Sequence, residues 1–363
     1  YVCLAVEGGI RLRSPFVIDR PDITIDGRFA PGAGAWVFGD RIEVEADNVL
    51  LDHVRHFGND TAANGDSDCL RWGIFGDPDD RDDVQLGYLR CCEFHHGRDE
   101  VLSFTPRQNG EATGNRVQDV TWDRCIVANP TGLDHEFGII IGDGSERITL
   151  SRNLLFNFAA RYPFVRRHAS EIEYINNACY NFNENCISVS GAEVAILGSL
   201  LRLGPRWNDP RGPISINGSN VYVDDVLIDS TIGRTSTDGL FRGAGSTDAP
   251  TFAGSGLARI ASEDVADMIA RLAGARLHGG ERGTISQNVI DQFVAGNAPE
   301  ELAVHPGDVP RETGASFPEH TAYVPSEYQA FFAGDSNLDD TIEDGPWAGY
   351  LVAERVGAWL IST

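Results

Sequence analysis

The feature that most constrains the fold of this chain is a strand pattern that occurs twice in succession between Arg147 and Asn181. Each copy has two apolar residues in alternation, then a polar bend, then two more apolar residues in alternation. The second copy begins 24 residues after the first, and its apolar positions match in order: Ile148 with Ile172, Leu150 with Tyr174, Leu154 with Ala178, and Phe156 with Tyr180. Alternating strands repeated in this way predict successive coils rather than a hairpin.

The same unit recurs along much of the chain, at intervals of 22 to 36 residues. Further copies begin at Val49, Val84, Val120, Val194 and Val221, with an earlier copy at Ile23. Short alternating strands at such intervals, without helical segments between them, predict an all-β solenoid of the parallel β-helix type. The alternative that the pattern leaves open is a β-sandwich with irregular strand spacing.

One position of the predicted coils carries a more specific expectation. The fifth residue after the first apolar position of each copy is, in order, Val54, Leu89, Cys125, Asn153, Asn177, Ser199 and Val226. Asparagine side chains stacked in neighbouring coils can hydrogen-bond each other, because each amide both donates and accepts. The two successive asparagines therefore predict an internal amide ladder at this level.

The strand pattern fades in the C-terminal third of the chain. We assign residues 1–235 to the β-helix core, with an upper bound near residue 260, and residues 236–363 to loops and helices that pack on the solenoid or cap it. ASEDVADMIARLAG predicts a helix with Ser262 as its N-cap, and SQNVIDQFVAGN predicts a second helix that ends at Gly296. These helices and a final amphipathic stretch, YLVAERVGAWLI, are expected to cover strand edges.

The charge of the chain excludes several classes of function. The net charge is -25, and all 29 basic residues are arginine. An acidic excess spread along the chain is typical of a well-solvated, salt-adapted protein, and it argues against a nucleic-acid partner, which needs clustered cations. The lack of lysine excludes Schiff-base chemistry, a lysine general base and a P-loop lysine. No run of about 18 apolar residues occurs, so no membrane span is expected.

The seven cysteines form neither CxxC pairs nor zinc-ligand spacing, and their odd number precludes complete internal pairing. Most are expected to be buried thiols, and a disulfide between Cys179 and Cys186 is left open. The first residues, YVCLAVEGGIRL, lack the charged and long apolar regions of a signal peptide. The absence of an initiating methionine predicts a processed or trimmed chain, and export cannot be read from these residues.

Three polar groups occupy similar places on successive coils, so stacking would bring them to one face. They are Asp66-Ser67-Asp68 before CLRW, Asp99-Glu100 before VLSF, and Arg161 with Arg166 and Arg167 after LLFNF. Carboxylates on neighbouring coils offer hard oxygen ligands for Ca²⁺, and arginines beside them could hold an anionic sugar. The structural alternative is a set of solvent-facing carboxylates and a surface turn whose arginines pair with Glu171 or Glu173.

One of these stretches resembles a known family. RNLLFNFAARYPFVRRHASEIEYINNACYNF resembles the signature of polysaccharide lyase family 1, the pectate lyases, in particular the bacterial branch with RxPxxR followed by an xxNNxxYN strand. The segment DEVLS from Asp99 to Ser103 is similar to that branch's DENLS segment, and HEFG from His135 to Gly138 is similar to its HSxG segment. The resemblance covers about residues 1–230, and more weakly reaches about residue 297.

The resemblance implies a right-handed parallel β-helix, secreted from the cell, that cleaves a uronic-acid polymer by β-elimination with Ca²⁺ as cofactor. It places metal ligands at Asp66, Asp68 and Asp99. The family has a fourth acidic ligand where this chain has Ser103, and Glu100 is the residue that could compensate.

The resemblance also assigns the catalytic and substrate-binding residues. Arg161 matches the family's catalytic base, and Arg166 matches the residue that grips a substrate carboxylate. We add Arg167 and His135 as substrate-binding candidates, and His135 is also the nearest alternative proton acceptor. Many relatives carry a lysine where this chain has Phe137, so substrate affinity or specificity is expected to differ.

The leading hypothesis is therefore a monomeric Ca²⁺-dependent lyase whose partner is an acidic polysaccharide. A second hypothesis is a non-catalytic β-helix that binds carbohydrate or serves as an attachment module, and it predicts a trimer or another stable assembly. A weaker third is a glycoside hydrolase on the same architecture, which would need two paired acids.

Overall fold

The computed structural model of the protein describes residues 1–58, 68–74, 83–104, 116–131, 135–208, 212–230, 239–277 and 280–298. Within these ranges the chain forms 24 β-strands, one 3₁₀ turn and two α-helices. The strands are, in chain order, β1 (Val2–Cys3), β2 (Gly8–Arg11), β3 (Phe16–Ile18), β4 (Ile23–Asp26), β5 (Ala35–Phe38), β6 (Ile42–Val44), β7 (Val49–Asp52), β8 (Arg55–Phe57), β9 (Leu70–Trp72), β10 (Val84–Arg90), β11 (Glu93–His95), β12 (Glu100–Phe104), β13 (Val117–Asp123), β14 (Ile126–Ala128), β15 (Phe137–Ile141), β16 (Glu146–Ser151), β17 (Leu154–Phe156), β18 (Phe164–Val165), β19 (Ile172–Ile175), β20 (Ala178–Tyr180), β21 (Ile187–Ser190), β22 (Glu193–Leu203), β23 (Ile214–Ser230) and β24 (Phe241–Ser246). The 3₁₀ turn spans Ser262–Asp264, and the helices are α1 (Val265–Leu272) and α2 (Thr284–Ala295).

The strands stack into three parallel sheets around one core. Sheet 1 joins β1, β4, β7, β10, β13, β16, β19, β22 and β23. Sheet 2 joins β2, β5, β8, β11, β14, β17, β20, β22 and β23. Sheet 3 joins β3, β6, β9, β12, β15, β18, β21, β23 and β24. A β-sandwich is built from antiparallel sheets, so that alternative is excluded. The chain forms a right-handed parallel β-helix, as predicted.

The register of sheet 1 follows the repeat positions read from the sequence, with one exception. Ile23 pairs with Val49, Val120 with Ile148, and both Ile172 and Val221 with Val194. The exception is the copy assigned to Val84, which pairs with Val117 instead. Gly87 holds the position opposite Val49 and Val120.

The reason for the exception is the packing of Trp72. A Cβ atom on Gly87 would lie 2.3 Å from Cζ2 of the Trp72 indole, so the indole occupies the space that a side chain would need. The apolar position of this coil is therefore a glycine, and the assignment of the copy to Val84 was wrong by three residues.

The predicted amide ladder is confirmed at its centre. Asn153 Nδ2 donates to Asn177 Oδ1 at 3.0 Å, and the backbone N–H of Cys125 donates to Asn153 Oδ1 at 2.8 Å. The backbone N–H of Asn177 in turn donates to Ser199 Oγ at 3.3 Å. Leu89 is not a member, because the shifted register puts Cys92 at this level. The N–H of Cys92 donates to Cys125 Sγ at 3.4 Å.

A second ladder, which the sequence analysis did not predict, runs through Asn129, Asn157 and Asn181. Asn157 Nδ2 donates to Asn129 Oδ1 at 2.9 Å, and Asn181 Nδ2 donates to Asn157 Oδ1 at 2.8 Å. All three residues have a positive φ, which asparagine tolerates better than most residues. The ladder therefore combines a tight corner of the coil with satisfied buried amides.

The two helices cover the outer face of sheet 2. Both were predicted from helical periodicity, and Gly296 ends α2 in the left-handed conformation, as expected. The prediction of Ser262 as an N-cap was wrong, because Ser262 begins the 3₁₀ turn and its hydroxyl donates to Asp225 Oδ1 at 2.7 Å. Apolar residues of both elements form one buried cluster: Ile126, Leu154, Phe156, Tyr180 and Leu200 from the sheet, and Val265, Met268, Ile269, Val289, Ile290 and Phe293 from the helices.

A buried carboxylate also joins the helical segment to the coils. Glu93 of β11 accepts hydrogen bonds from the Ser286 hydroxyl and, at 2.8 Å, from the backbone N–H of Ala275. Burial raises the pKa of Glu93, because the charged form is disfavoured away from water. Neither α1 nor α2 has the length and apolar character that crossing a bilayer requires. The predicted boundary at residue 235 and the final amphipathic stretch, residues 350–361, lie outside the described residues.

Six of the seven cysteines are buried thiols, and the seventh, Cys3, is half-buried. None of the seven is in a disulfide, including the Cys179 and Cys186 pair that the sequence left open.

Two buried histidines predict that acid destabilises the protein. Burial lowers the pKa of both His56 and His96 to about 4. A histidine in the unfolded chain binds a proton below about pH 6.5, whereas these two buried histidines do so only near pH 4. Between these pH values the unfolded state binds more protons than the folded state, so the free energy of unfolding decreases as the pH is lowered. Each shift corresponds to about 3 kcal/mol over that interval. Urea unfolding from pH 7.5 to 4.5 should show the fall, and His96→Gln should reduce it while the exposed His168→Gln should not. An unchanged slope in His96→Gln would contradict this assignment.

Candidate active site

The floor of the candidate site is a row of side chains on the outer face of sheet 3. Ser103 of β12 pairs with Arg71 of β9 on one side and with Ile140 of β15 on the other, and Ile140 pairs with Phe164 of β18. The neighbours of Ile140 in its own strand, Ile139 and Ile141, belong to the core, so Ile140 faces outward. These four residues line a cleft together with Asp68, Asp99, Glu100, His135, Arg161 and Arg166.

The acidic residues of two neighbouring coils meet at this cleft. Asp68 lies just before β9, Asp99 lies just before β12, and Glu100 is the first residue of β12. One carboxylate oxygen from each of the three lies within 4.8 Å of the others. Asp66, which the sequence analysis added to this group, lies outside the described residues.

The surroundings of Asp68 fit a hard cation. Its Oδ2 accepts hydrogen bonds from Arg71 Nε at 2.9 Å and from the Ser103 hydroxyl. Its Oδ1 is buried and has no hydrogen-bond partner in the described part of the chain. Burial raises the pKa of Asp68, against the opposing effect of Arg71. A buried carboxylate oxygen without a partner is costly, and an oxygen-preferring divalent ion beside Asp99 and Glu100 would satisfy it.

Arg161 is held in the cleft by the turn between β17 and β18. Its backbone carbonyl accepts a hydrogen bond from the N–H of Ile139 at 2.7 Å. Gly138 permits this close approach, because a Cβ atom there would lie 2.5 Å from the Arg161 carbonyl oxygen and 2.3 Å from the Phe158 ring. The buried Tyr162 hydroxyl donates to the Phe158 carbonyl at 3.0 Å and so closes the turn.

The Arg161 guanidinium is enclosed by aromatic rings and a carboxylate. Its Cζ lies 3.8 Å from the ring centroid of Phe137 and 5.7 Å from that of Phe164. Its Nη1 forms an ion pair with Glu100. Burial lowers the pKa of Arg161, and Arg166 adds to this effect while Asp99 and Asp68 oppose it. A guanidinium with a lowered pKa in a cleft is a candidate for proton transfer.

Of the three residues predicted to bind substrate, two line the cleft and one does not. Arg166 lines it, and its Nε lies 3.2 Å from Asp143 Oδ1. His135 lies at the rim with 55% of its side chain exposed, and its Nδ1 is 3.9 Å from Asp99 Oδ1. Arg167 is exposed and is not among the residues that line the cleft.

The sequence analysis missed Arg71, Asp143, Ile140 and Phe164. Arg71 and Phe164 occupy the same outward row as Ser103, one coil before it and two coils after it. Only the strand register places them there, since insertions of different length separate these coils. Asp143, which follows β15, pairs with Arg166 in place of the predicted partners Glu171 and Glu173.

Comparison with known proteins finds similarity in sequence to two relatives and similarity in structure to a solved β-helix. No protein-family model matches the chain. In sequence it is 27% identical over 241 residues to a probable pectate lyase C of Neosartorya fischeri and 25% identical over 240 residues to one of Aspergillus flavus. Each match covers 63% of this chain and 50% of the relative, so the chain spans about half the length of the curated relatives it matches.

In structure the chain is similar to Jun a 1, the major allergen from cedar pollen, with a TM-score of 0.51 and 13% identity, over 75% of this chain and 79% of that one. That identity is low, so this likeness supports the fold alone. The bacterial branch suggested by the sequence motifs stays a prediction. The chain is thus a parallel β-helix whose sequence is similar to that of pectate lyases.

Proposed function

We propose that this protein is a Ca²⁺-dependent polysaccharide lyase that cleaves a uronic-acid-containing polysaccharide by β-elimination. The observation that carries the proposal is the meeting of Asp68, Asp99 and Glu100 within 4.8 Å of one another in the cleft that also contains Arg161. The similarity in sequence to probable pectate lyases supports the same reaction class. A uronan is an extracellular polymer, so we also propose that the protein acts outside the cell.

The three carboxylates would hold the cation, and Arg71 and Ser103 keep Asp68 in place for it. Bound there, Ca²⁺ would bind the substrate carboxylate and stabilise the negative charge that develops when the C5 proton leaves. Asp68 supplies an oxygen that is already buried and desolvated, so little reorganisation is needed on binding.

Arg161 accepts the C5 proton in this proposal. A guanidinium normally keeps its proton up to pH values above 12 and so cannot act as a base near neutral pH. The role of proton acceptor therefore requires that the pKa of Arg161 be lowered. The burial of Arg161 and the neighbouring charge of Arg166 act in that direction. The C5 proton is weakly acidic, because the carbon that carries it is bonded to the carboxylate carbon. When Arg161 takes this proton, the electron pair of the C–H bond forms the C4=C5 double bond, the C4–O bond breaks, and the leaving oxygen takes a proton from water. Arg166 binds and orients a carboxylate of the sugar chain, and His135 is a further contact.

The charge of the protein affects how the substrate approaches. A net charge of -25 repels a polyanion over a distance set by the Debye length, which is about 10 Å at 0.1 M salt and about 3 Å at 1 M. We therefore expect turnover to increase with salt or Ca²⁺ concentration until screening is complete.

The direct test of the proposal is product formation. The protein is incubated with polygalacturonate and with other uronans, with and without EDTA, and the ultraviolet absorbance of the unsaturated product is followed. We expect absorbance to rise with Ca²⁺ and to stop rising when EDTA is added. Absence of product from every uronan at every salt concentration would reject the lyase.

One observation favours a second function, a non-catalytic carbohydrate-binding or attachment β-helix. The guanidiniums of Arg71, Arg161 and Arg166 are all paired with protein carboxylates, and Ser103 and Phe137 replace residues that the resembling family uses. This function predicts that the protein retains a uronan without cleaving it, and that it forms a trimer or another stable assembly in solution. The lyase predicts a monomer, so a mass measurement in solution helps to separate the two.

A further inference from the structure

We infer that an ion pair between Glu136 and Arg206 positions Arg161 in the cleft. Glu136 directly precedes β15, and Arg206 lies between β22 and β23. Neither is among the described residues that line the cleft, so the pair acts on Arg161 through the turn that carries it. The inference rests on the proposed function, because it names two positioning residues for the proposed base.

The backbone conformation of Arg161 depends on its neighbours. Its φ is 70°, in the left-handed region that arginine rarely adopts. A residue with a Cβ atom is destabilised in that region, so contacts with adjacent coils have to hold it there. The direction of the Arg161 side chain is therefore set by the coils on either side of the Arg161 turn, which we define as residues 158–162.

The preceding coil holds the Arg161 turn by backbone hydrogen bonds. The N–H of Ala159 donates to the Glu136 carbonyl at 2.7 Å, and the N–H of Gly138 donates to the Ala160 carbonyl at 3.1 Å. These bonds add to the one that the Arg161 carbonyl accepts. A displacement of Glu136 is therefore passed directly to the turn.

The following coil closes the other side of the turn. The N–H groups of Asn183 and Glu184 donate to the Ala159 carbonyl at 3.1 Å and 3.3 Å. The N–H of Tyr162 donates to the Cys186 carbonyl at 2.7 Å. The turn is thus held between two coils, and their alignment decides where Arg161 lies.

The ion pair joins coils on both sides of the Arg161 turn. Arg206 Nη2 donates to Glu136 Oε2 across the coils that carry the turn and residues 183–186. Arg206 is itself fixed, because its backbone N–H donates at 3.0 Å to Oδ1 of Asn181, the end of the second asparagine ladder. The Arg206 side chain is only 9% exposed, so water competes little for the pair.

Arg206 also lies close to the Arg161 turn itself. Burial raises the pKa of Tyr162, and the positive charge of Arg206 opposes this rise. Tyr162 follows Arg161 directly, and its hydroxyl closes the turn. The HSxG segment that HEFG resembles has serine in place of Glu136, and serine could not form this ion pair. Breaking the pair should therefore loosen the segment that directs Arg161 at the substrate.

The test measures kinetics and amide exchange in variants of Arg206. Arg206→Met keeps most of the side-chain length and removes the charge. We expect kcat on a uronan to fall about 100-fold with little change in KM, because a displacement of about 1 Å can have an effect of that size while the lining of the cleft is unchanged. Arg206→Lys, which keeps a positive charge, should restore most of kcat. In the same samples, amides of the Arg161 turn should exchange with deuterium faster in Arg206→Met than in the unmodified protein.

Asp229→Asn is the matched control. It removes one charge from another ion pair between coils, in which Asp229 Oδ2 lies 2.7 Å from Arg202 Nε and the Arg202 side chain is 14% exposed. This variant should leave kcat, KM and the exchange of the Arg161 turn unchanged. Normal kcat in Arg206→Met, or unchanged exchange of the turn, would overturn the inference, and the pair would then only stabilise the fold. If the unmodified protein cleaves no uronan, the lyase is rejected, and the exchange of the turn alone decides whether the pair positions Arg161.

Discussion

Replacing Arg161 by alanine is expected to lower kcat/KM on a uronan by about 1000-fold or more, in the range that loss of a general base produces. The substitution removes a guanidinium whose pKa is lowered by burial, and it leaves Glu100 without its ion-pair partner. The side chain is partly exposed, so its loss creates no core cavity. The measurement is the initial rate of unsaturated product formation, with the thermal unfolding midpoint recorded on the same samples.

Two controls separate the loss of a proton acceptor from a general loss of positive charge. Arg20→Ala removes a guanidinium that is 83% exposed and paired at 3.9 Å with Asp19 outside the cleft, and its rate should equal that of the unmodified protein. Free guanidine added to Arg161→Ala should restore part of the rate, because it can occupy the emptied place. If Arg161→Ala turns over a uronan at the normal rate, the assignment of Arg161 as the base is wrong.

The second large effect is expected at the carboxylates. Asp99→Asn should weaken Ca²⁺ binding about 100-fold, since it removes one of three charged ligands from the cluster. Titration calorimetry with Ca²⁺ alone measures this without any substrate. Asp68→Asn should have a similar effect on the cation.

The matched control is Asp19→Asn, which neutralises a carboxylate that is 63% exposed on the surface. It should change neither Ca²⁺ affinity nor stability measurably. Equal Ca²⁺ affinity in Asp99→Asn and in the unmodified protein would remove Asp99 from the site. The proposal of a cation between the two coils would then have no support.

The fold could be predicted from the sequence because each coil repeats the same local rule. Along the strands before and after each bend of a coil, apolar residues must alternate with other residues so that they face the core. Positions such as Val49, Val120 and Val194 can therefore be located without knowing the rest of the structure. The copy at Val84 was misplaced because a glycine can stand where an apolar residue is expected when a neighbour such as Trp72 fills the space. No local pattern reveals that substitution, since it depends on a contact between coils.

The candidate site was predictable only in part, for a related reason. Asp68, Asp99 and Arg161 each adjoin a recognisable strand, so stacking alone placed them on one face. Arg71 and Phe164 became visible only through the register of sheet 3. Register across coils depends on the length of each insertion, and the sequence does not specify how an insertion of given length is accommodated.

The central claim is that one cation joins Asp68, Asp99 and Glu100 beside Arg161. The most direct measurement is a crystal structure of the protein grown with Ca²⁺ and a galacturonide oligomer. We predict an ion at about 2.3–2.6 Å from oxygens of all three carboxylates, bound also to one uronate carboxylate, with the C5 atom facing the Arg161 guanidinium. An oligomer bound in the cleft with no ion at these carboxylates, or an ion bound only elsewhere on the protein, would contradict the claim.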